Sequence, residues 1–447
     1  MASEAPRRVF IKTFGCQMNV YDSGKMLALL ALDGFEATDN WREAEWVIVN
    51  TCSVREKPQL KVASFLGPIL ARKRDKGRPL VAVAGCVAQH DGAEIFRKNK
   101  ELDLVFGPDG IPRVRELVAA AVHRRVLDNH FLEVADYPFV QELVPSAGQE
   151  INALVTIQKG CDNHCTYCIV PSTRGAQVSR PASQILEEVR GLAARGVRDF
   201  TLIGQNVNAY GTDGNEHPSF ADLLRQVCDI AEVWRLRFTT SHPRDMGPDV
   251  IAAWAQLPKL ASHLHLPVQA GSDRLLRRMG RQYTRAHYLD VVRGLRAARP
   301  DIMLTTDFIV GFPGETREDF EQSLSLIEEV RFDAAFSFKY SPRPGTAAIR
   351  MKDPVLPPEE SSARLSELQQ LLSRLQRESN DACVGRVFDV LVERPSRHDP
   401  AHFMGRSSCF RAVNFPGEPS LIGTIVPIRI TRAHPHSLQG ERVRDQA

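Results

Sequence analysis

The chain has 447 residues, 43% of them hydrophobic and 25% charged, which is an ordinary composition for a globular protein of two or three domains. Its formal net charge of only +3 excludes binding of a polyanion through a strong overall field, so a nucleic-acid partner would have to meet local basic patches. The chain starts without an apolar signal core and has no apolar run near the ~20 residues of a membrane helix, so we expect a cytoplasmic protein that does not bind membranes.

Residues 1–150 repeat one pattern, in which a short apolar run is followed by a turn and a stretch with helical periodicity. The runs are RVFIKT (8–13), WVIVN (46–50), LVAVAG (80–85) and, more weakly, LDLVFG (102–107). Apolar strands that alternate with helices are typical of a parallel sheet covered on both faces. We therefore predict an N-terminal α/β domain built on a parallel sheet.

A cysteine follows each of the first three predicted strands. These residues are Cys16, Cys52 and Cys86. Parallel strands end at the same edge of a sheet, so we expect the three thiols to converge there, and in the cytoplasm they should be reduced and free to bind metal. The alternative for each cysteine alone is a small buried apolar side chain, but that does not explain three cysteines at the same topological position.

Residues 151–380 carry a longer series of strand-helix units. The predicted strands are ALVTIQ (153–158), DFTLIG (199–204), RLRFTT (235–240), SHLHLPV (262–268), IMLTTDFIVG (302–311) and DAAFSFKY (333–340). A closed barrel of this type has eight units, so six units predict a partial (β/α)6 barrel whose gap can admit a bulky substrate. A helical stretch from Pro357 to about Asn380 leads out of it.

The sequence GCDNHCTYC (160–168) directly follows the first barrel strand. It places Cys161, Cys165 and Cys168 at the mouth of the barrel, where barrel enzymes keep their active sites. Three thiolates on a cubane iron-sulfur cluster leave one iron without a protein ligand, and that iron can bind and reduce a cofactor. A zinc site completed by His164 is the alternative, although His164 adjoins Cys165 and tetrahedral ligation by both is awkward.

Residues 381–447 change character to short alternating runs separated by turns, which predict a small β-barrel. Phe410, Arg411, Arg429 and Arg432 lie close to predicted strand ends. Aromatic and basic residues in that position are typical of an oligonucleotide-binding module. A solvated β-domain with ordinary arginines explains the composition equally well.

The spacing C-x3-C-x2-C of the barrel loop, with Tyr167 before the last cysteine, resembles the signature of the radical S-adenosylmethionine (SAM) enzymes. The stretches TFGCQMNVYDS (13–23), NTCSVREK (50–57), AGCVAQ (84–89) and KGCDNHCTYCIVPSTRG (159–175) resemble those of the methylthiotransferases. These sequence stretches are most similar to those of the branch that makes 2-methylthio-N(6)-dimethylallyladenosine in tRNA. The branch that modifies a ribosomal protein usually has Pro-Lys where this chain has Gln17 and Met18. The C-terminal barrel resembles the RNA-binding TRAM domain of these enzymes.

This resemblance implies two 4Fe-4S clusters and SAM as cofactors. Cys161, Cys165 and Cys168 would hold the cluster that cleaves SAM, and Cys16, Cys52 and Cys86 an auxiliary cluster that positions the sulfur. One SAM molecule would supply the methyl group and another the radical. The implied partners are tRNA carrying N(6)-dimethylallyladenosine, an electron donor of the flavodoxin or ferredoxin type, and sulfur or iron-sulfur donor proteins.

Three other functions remain open at this stage. The same chemistry could act on a ribosomal protein or on threonylcarbamoyl-adenosine in tRNA. A zinc-containing RNA-binding protein without catalysis is the alternative outside the enzymes.

The barrel's strand ends also carry polar residues that resemble the family's SAM-contacting segments. They are Gln205, Asn206, His242, Gln269, Asp307 and Glu315. Arg343, in KYSPRPGTAA (339–348), is a candidate for contacting the nucleotide or for bridging the two cluster sites. Each of these residues could instead be a polar group of a turn, satisfied by nearby backbone.

Two basic runs and three further cysteines remain. ARKRDKGR (71–78) and RLLRRMGRQYTR (274–285) could contact phosphates, although charged runs are usually solvated helix faces, and the second run also resembles a family motif near SAM. Cys228, Cys383 and Cys409 are predicted to be packing residues.

Overall fold

The fold is that of a computed structural model, which describes residues 7–53, 56–133, 137–140, 151–214, 216–396, 399 and 401–443, without the side chains of 56–61. The predicted boundary at residue 150 falls at the end of a segment, 141–150, that lies outside the described residues, as do both chain ends. In the described part, no helix combines the length and the apolar character that a membrane crossing requires.

The first domain is a parallel sheet with helices on both faces, as the sequence predicts. Its strands are β1 (Arg7–Phe14), β2 (Phe35–Ala37), β3 (Trp46–Thr51), β4 (Leu80–Gly85), β5 (Leu104–Phe106) and β6 (Val126–Asp128). The helices are α1 (Gln17–Ala31), α2 (Glu56–Lys76), α3 (Cys86–Lys98) and α4 (Val114–Ala121). The strand order is β2-β1-β3-β4-β5-β6, and every pairing is parallel.

The central strands of this sheet explain the apolar runs in the sequence. All six residues of β3 are buried, because helices cover both faces of the sheet. The strands β2 and β6 were not predicted from the sequence. Each has only three residues, two of which are half-exposed or exposed, so neither strand carries an apolar run.

The second domain is the predicted partial barrel of six parallel strands. The strands in this part of the chain are β7 (Asn152–Thr156), β8 (Gln158–Lys159), β9 (Val178–Ser179), β10 (Asp199–Ile203), β11 (Arg235–Phe238), β12 (His263–His265), β13 (Met303–Val310) and β14 (Ala334–Lys339). The helices are α5 (Val170–Arg174), α6 (Ala182–Ala194), α7 (Phe220–Cys228), α8 (Pro248–Gln256), α9 (Asp273–Arg278), α10 (Arg285–Ala298), α11 (Arg317–Val330) and α12 (Pro358–Asp381).

The barrel strands form one open arc. Two parallel three-stranded sheets, β7-β10-β11 and β12-β13-β14, are joined by a bridge between Leu236 and Leu260. Alternate residues such as Phe200 and Leu202 are fully buried in the core cluster on one face. The apolar run 153–158 is not one strand, because it is divided between β7 and the short antiparallel pair β8-β9.

The third domain is a closed barrel, as predicted. Its strands are β15 (Val387–Pro395), β16 (His402–Ser407), β17 (Ala412–Pro416), β18 (Ile425–Ala433) and β19 (Leu438–Arg442). It packs against the amino-terminal ends of the central barrel's strands, opposite the mouth. There the Arg235 guanidinium donates to the Arg406 carbonyl oxygen at 2.7 Å, and Arg411 pairs with Asp333 at 2.9 Å.

This interface corrects part of the sequence-based interpretation of the third domain. The ring of Phe410 lies against the Arg237 and Arg406 guanidinium groups, at 4.5 and 4.3 Å, and near the His263 ring at 5.1 Å. Phe410 and Arg411 therefore hold two domains together, and they are not free to contact an oligonucleotide. Of the four predicted contact residues, Arg429 and Arg432 are exposed.

Candidate metal centres

The first three cysteines converge as predicted, at the carboxyl edge of the first sheet. Cys16 caps α1 just beyond β1, Cys52 follows β3 and Cys86 begins α3 beyond β4. These three strands are immediate neighbours in the sheet. A hydrogen bond from Cys52 is the main cause that lowers the pKa of Cys16 to about 6, so the two thiols are in contact. We call these residues the sheet centre.

Two buried asparagines, which the sequence analysis missed, tie the segments of the sheet centre together. The Asn19 side chain accepts from the Cys16 amide at 3.2 Å and donates to the Thr51 carbonyl oxygen at 3.1 Å. Asn50 donates back to the Asn19 carbonyl oxygen at 2.9 Å. Gly85 has a φ of +91°, and a Cβ there would lie 2.4 Å from the Asn50 amide oxygen, so only glycine fits. The feature of the sequence that could have identified Asn50 was its position at the end of the apolar run WVIVN.

The second three cysteines lie in one loop that is closed by the β8-β9 pair. Cys161, Cys165 and Cys168 are all half-buried and reduced. Gly160 has a φ of +75°, and a Cβ there would lie 1.8 Å from the Ala176 carbonyl oxygen at the other end of the loop. The Gln205 side chain accepts from the Gly160 amide at 2.5 Å. Burial raises the pKa of Cys168 to about 12. We call these residues the barrel centre.

A distant segment clamps the barrel centre from the far side. The Thr166 amide donates to the Met279 carbonyl oxygen at 2.9 Å, and the Thr166 hydroxyl to that of Arg278 at 2.9 Å. Arg281, which is 5% exposed, places its guanidinium 3.5 Å from the Cys165 sulfur. The basic run 274–285 is therefore partly a structural element of the site. Its sequence alone did not distinguish Arg281 from the solvated arginines beside it.

The two centres lie on the same junction between the first two domains. Arg174 ends α5, directly after the cysteine loop, and pairs with Asp22 on α1 at 2.6 Å, with both side chains buried. The Arg174 charge also acts on Cys16 and Cys86, which places it beside the sheet centre. Two further buried ion pairs cross the junction, Lys25–Glu188 at 2.7 Å and Lys159–Asp109 at 2.6 Å, and fix the domains in place.

The donor set fits iron-sulfur clusters. Each centre offers three cysteines that form no disulfide. Their thiolates are soft ligands, which is the type that iron-sulfur clusters use. Among the described residues, no three His, Cys, Asp or Glu side chains are grouped as ligands of a single ion. In a cubane each cysteine binds a different iron, which requires a wider spacing than one tetrahedral ion does. The His164 side chain is exposed and does not join the cysteines.

Three of the predicted SAM-contacting residues are grouped at the ends of β10 and β11. Asn206 donates to Asp245 at 2.7 Å, but its side-chain oxygen is buried and has no hydrogen-bond partner among the described residues. The His242 ring is also buried, and its Nε2 has no partner in the described part of the chain either. Burial, with the charges of Arg281 and Arg244, lowers the pKa of His242 to about 2, so its ring is neutral. Two buried polar atoms without partners are what a bound polar ligand would satisfy.

The other three candidates differ in how far neighbouring groups already engage their polar atoms. Gln269 has a φ of +75° and bridges to β13 through its backbone, and Asp307 is half-buried, 3.5 Å from His265. Glu315 is buried and fully engaged, because its carboxylate accepts from the Gly311 amide at 3.0 Å and pairs with Arg364 at 2.8 Å. Glu315 therefore shapes the loop after β13.

Arg343 lies in a turn beside α3. Its carbonyl oxygen accepts from the Thr346 hydroxyl at 2.8 Å. The neighbouring Gly345 approaches the His90 ring so closely that a Cβ there would be 3.0 Å from Nε2. The loop that carries Arg343 thus lies against the helix that begins at Cys86.

Three family models match successive parts of the chain. The Radical SAM superfamily matches residues 155–327, Uncharacterized protein family UPF0004 matches 8–107 and the TRAM domain matches 381–443. These ranges fall on the partial barrel, the first sheet domain and the closed barrel.

Named relatives are similar over the whole length. A tRNA-2-methylthio-N(6)-dimethylallyladenosine synthase from Acidovorax sp. (strain JS42) is 49% identical over 443 residues, which cover 98% of each chain. One of the same name from Aromatoleum aromaticum is 48% identical over 445 residues, with 98% of this chain and 99% of that one covered.

Solved structures share the fold. The radical SAM methyltransferase TsrM from Kitasatospora setae, solved with cobalamin and a 4Fe-4S cluster bound, has a TM-score of 0.58 at 16% identity and covers 86% of this chain and 76% of its own. The cobalamin-dependent radical SAM enzyme OxsB has a TM-score of 0.52 at 12% identity, over 83% of this chain and 56% of its own.

Proposed function

Because the chain belongs to the family of the tRNA-2-methylthio-N(6)-dimethylallyladenosine synthases, we propose that it is a radical SAM enzyme that methylthiolates carbon 2 of N(6)-dimethylallyladenosine in tRNA. The observation that carries this proposal is the identity of about half of all residues with these relatives over the full length. The two three-cysteine centres on one domain junction support it, because the reaction needs a radical source and a sulfur position beside the same base.

The family's cofactors are SAM and the 4Fe-4S cluster. We propose that the barrel centre holds one such cluster and that the sheet centre holds a second, auxiliary one. When bound, these groups supply the electron that cleaves SAM to a radical able to attack an unactivated C–H bond, and the place from which sulfur is delivered. Acid–base chemistry cannot replace the radical, because the hydrogen on carbon 2 of the adenine is not acidic.

The chain's own residues bind and orient these groups. Three thiols in each centre, rather than four, leave a coordination position for an external ligand. The unpartnered Asn206 oxygen and His242 Nε2 provide hydrogen-bonding positions for the polar part of SAM. A neutral His242 can hydrogen-bond SAM without adding a positive charge next to its sulfonium. Gln269 and Asp307 line the same mouth, and Glu315 fixes the loop beside it.

The buried Arg174 lies on the domain junction beside the sheet centre, where it balances thiolate charge. Its partner Asp22 holds it there, so the charge cannot move away when the centre is loaded. The junction that Arg174 stabilises is also the place where the target base must be held, within reach of both centres. The loop with Arg343 faces this junction and supplies a cation for the nucleotide phosphate.

The domain boundaries lie at about residues 150 and 380, and each of the three domains has a separate role in the reaction. The first holds the auxiliary cluster, the second holds SAM and carries out the radical chemistry, and the third binds tRNA, whose target base lies on the 3′ side of the anticodon. The exposed Arg429 and Arg432 are the cations that we assign to phosphate contacts. An electron donor of the flavodoxin or ferredoxin class and a sulfur or iron-sulfur donor protein complete the reaction in the cytoplasm.

Nucleoside mass analysis tests this function. A strain that lacks the gene should accumulate tRNA with the unmodified prenylated adenosine, and the restored gene should return the methylthio form. Unchanged tRNA together with a mass loss in a ribosomal protein would refute it in favour of the protein-modifying reaction. A loss confined to threonylcarbamoyl-adenosine would refute it in favour of that substrate, and zinc with little iron in anaerobic preparations would support a non-catalytic RNA-binding protein.

A further inference from the structure

Arg281 is a buried cation placed against the barrel centre without a carboxylate partner. It is 5% exposed, and among the described residues no Asp or Glu forms an ion pair with it. An isolated buried charge is costly, so its neighbours must compensate it. The groups around it are the Pro267 carbonyl oxygen, the Tyr167 and Tyr283 hydroxyls and the Cys165 sulfur.

Neighbouring oxygens hold two of the three guanidinium nitrogens of Arg281 in place, and the third nitrogen is directed at a sulfur atom. Nη2 donates to the Pro267 carbonyl oxygen at 2.7 Å, and Nε donates to the Tyr283 hydroxyl oxygen at 3.1 Å. Tyr283 in turn donates to the Val268 carbonyl oxygen at 2.7 Å. Nη1 lies 3.5 Å from the Cys165 sulfur and 3.5 Å from the Tyr167 hydroxyl. The planar guanidinium is therefore held with one N–H edge directed at a predicted cluster ligand.

We propose that Arg281 sets the reduction potential of the cluster held by the barrel centre. The reduction is a one-electron step, in which an external donor of the flavodoxin or ferredoxin class is oxidised and the cluster gains one negative charge. No proton moves, because a guanidinium stays protonated. An N–H directed at the Cys165 sulfur and a nearby buried positive charge both stabilise the reduced form, so the potential is raised to a value the donor can reach.

Arginine is required here for its shape as well as its charge. A lysine would keep the charge but could not hold Pro267, Tyr283 and the sulfur in one plane. Its ammonium would place the charge less rigidly, so Arg281→Lys should retain part of the effect. Arg281→Met keeps a long apolar stem and removes both the charge and the N–H.

This inference rests on the proposed function, because it takes Cys161, Cys165 and Cys168 as cluster ligands. The experiment is an EPR-monitored redox titration of the full-length, anaerobically reconstituted protein, repeated in a background without the sheet-centre cysteines to assign the signal. Arg277→Met is the matched control, since Arg277 is exposed on α9, only four residues before Arg281. Iron content is measured for every variant.

We expect Arg281→Met to keep its iron but to have a more negative potential, with Arg281→Lys between it and the wild type and Arg277→Met equal to the wild type. SAM cleavage driven by a flavodoxin-class donor should fall about tenfold or more in Arg281→Met, and excess of a stronger chemical reductant should restore it. A purely structural role would not produce a deficit that depends on the reductant.

An unchanged potential in Arg281→Met with full iron content would overturn the inference and leave the proposed function intact. A wild-type chain that binds no iron at the barrel centre would overturn the proposed function itself. If Arg281→Met fails to retain iron, Tyr283→Phe decides, because it keeps the cation and removes the oxygen that positions Nε. A smaller negative shift in that variant supports the inference, and an unchanged potential refutes it.

Discussion

The sheet centre takes its cysteines from three strand ends between residues 16 and 86, whereas the barrel centre takes them from one loop between residues 161 and 168. Topology brings the first set together, and Asn19 and Asn50 join the strand ends. A local loop forms the second set, and a segment more than a hundred residues later clamps it. The same three-thiol arrangement thus arises from two kinds of structural constraint, and different changes should destroy each.

Single cysteine replacements should separate the two centres most completely. Cys165→Ala should abolish SAM cleavage, because the radical source is lost. Cys52→Ala should leave some uncoupled cleavage but form no methylthio product. The measurements are 5′-deoxyadenosine and modified nucleoside after reaction with prenylated tRNA. Detectable 5′-deoxyadenosine from the first variant, or a normal product yield from the second, would show that the centres are assigned wrongly.

Breaking the ion pair between the centres should have the next largest effect. Arg174→Met leaves Asp22 buried and uncompensated, which should lower the free energy of unfolding by about 3–5 kcal/mol in urea titrations. The control is Arg174→Met combined with Asp22→Asn, which removes the stranded charge and should recover part of the loss. Equal stability of the single variant and the wild type would mean that the pair does not hold the junction.

Gly160→Ala tests whether the barrel centre depends on its local loop. The new Cβ would meet the Ala176 carbonyl oxygen at 1.8 Å, and the φ of +75° adds strain, so we expect iron loss from this centre and a stability loss of about 3 kcal/mol. Gly34→Ala is the matched control, since Gly34 has a φ of +78° and open space around its Cβ position. It should cost only about 1 kcal/mol and keep all iron. Similar losses in both variants would indicate backbone strain alone.

The pH dependence of the free energy of unfolding should reveal that His242 is buried in its neutral form. Its folded pKa is about 2. The unfolded ring takes up a proton near pH 6.5, so this contribution to stability is complete above about pH 6.5 and declines as the pH falls below it. Between pH 7 and pH 5, His242→Asn should lose about 2 kcal/mol less than the wild type in urea titrations.

His123→Asn, at an exposed position after α4, is the control for that titration and should follow the wild type. Parallel curves for His242→Asn and the wild type would mean that the folded His242 ring takes up a proton over the same pH range as the unfolded ring. In that case burial would not be what keeps the ring neutral toward SAM.

The sequence was sufficient where one local pattern or one topological rule determines the structure. The meeting of Cys16, Cys52 and Cys86 at one edge follows from apolar runs that form a parallel sheet, and the loop spacing alone indicates the barrel centre. The open six-strand barrel and the closed terminal barrel were also predictable from the strand pattern.

The parts that sequence reasoning missed depend on contacts between distant segments. In the sequence, Arg174 and Arg281 look the same as arginines on the surface. They become buried against the centres only when the distant segments pack together. Phe410 and Arg411 lie near strand ends as expected, but the domain interface covers that face. Glu315 resembles a ligand-binding residue, yet α12 brings Arg364 onto its carboxylate.

Iron and sulfide analysis of cysteine-set variants tests the two-centre account most directly. The wild-type chain, reconstituted without oxygen, should contain about eight irons and eight sulfides, as expected for two 4Fe-4S clusters. Replacing Cys16, Cys52 and Cys86 together, or Cys161, Cys165 and Cys168 together, should leave about four irons in each case. A wild-type content of about four irons that is unaffected by replacing the first set would contradict the account.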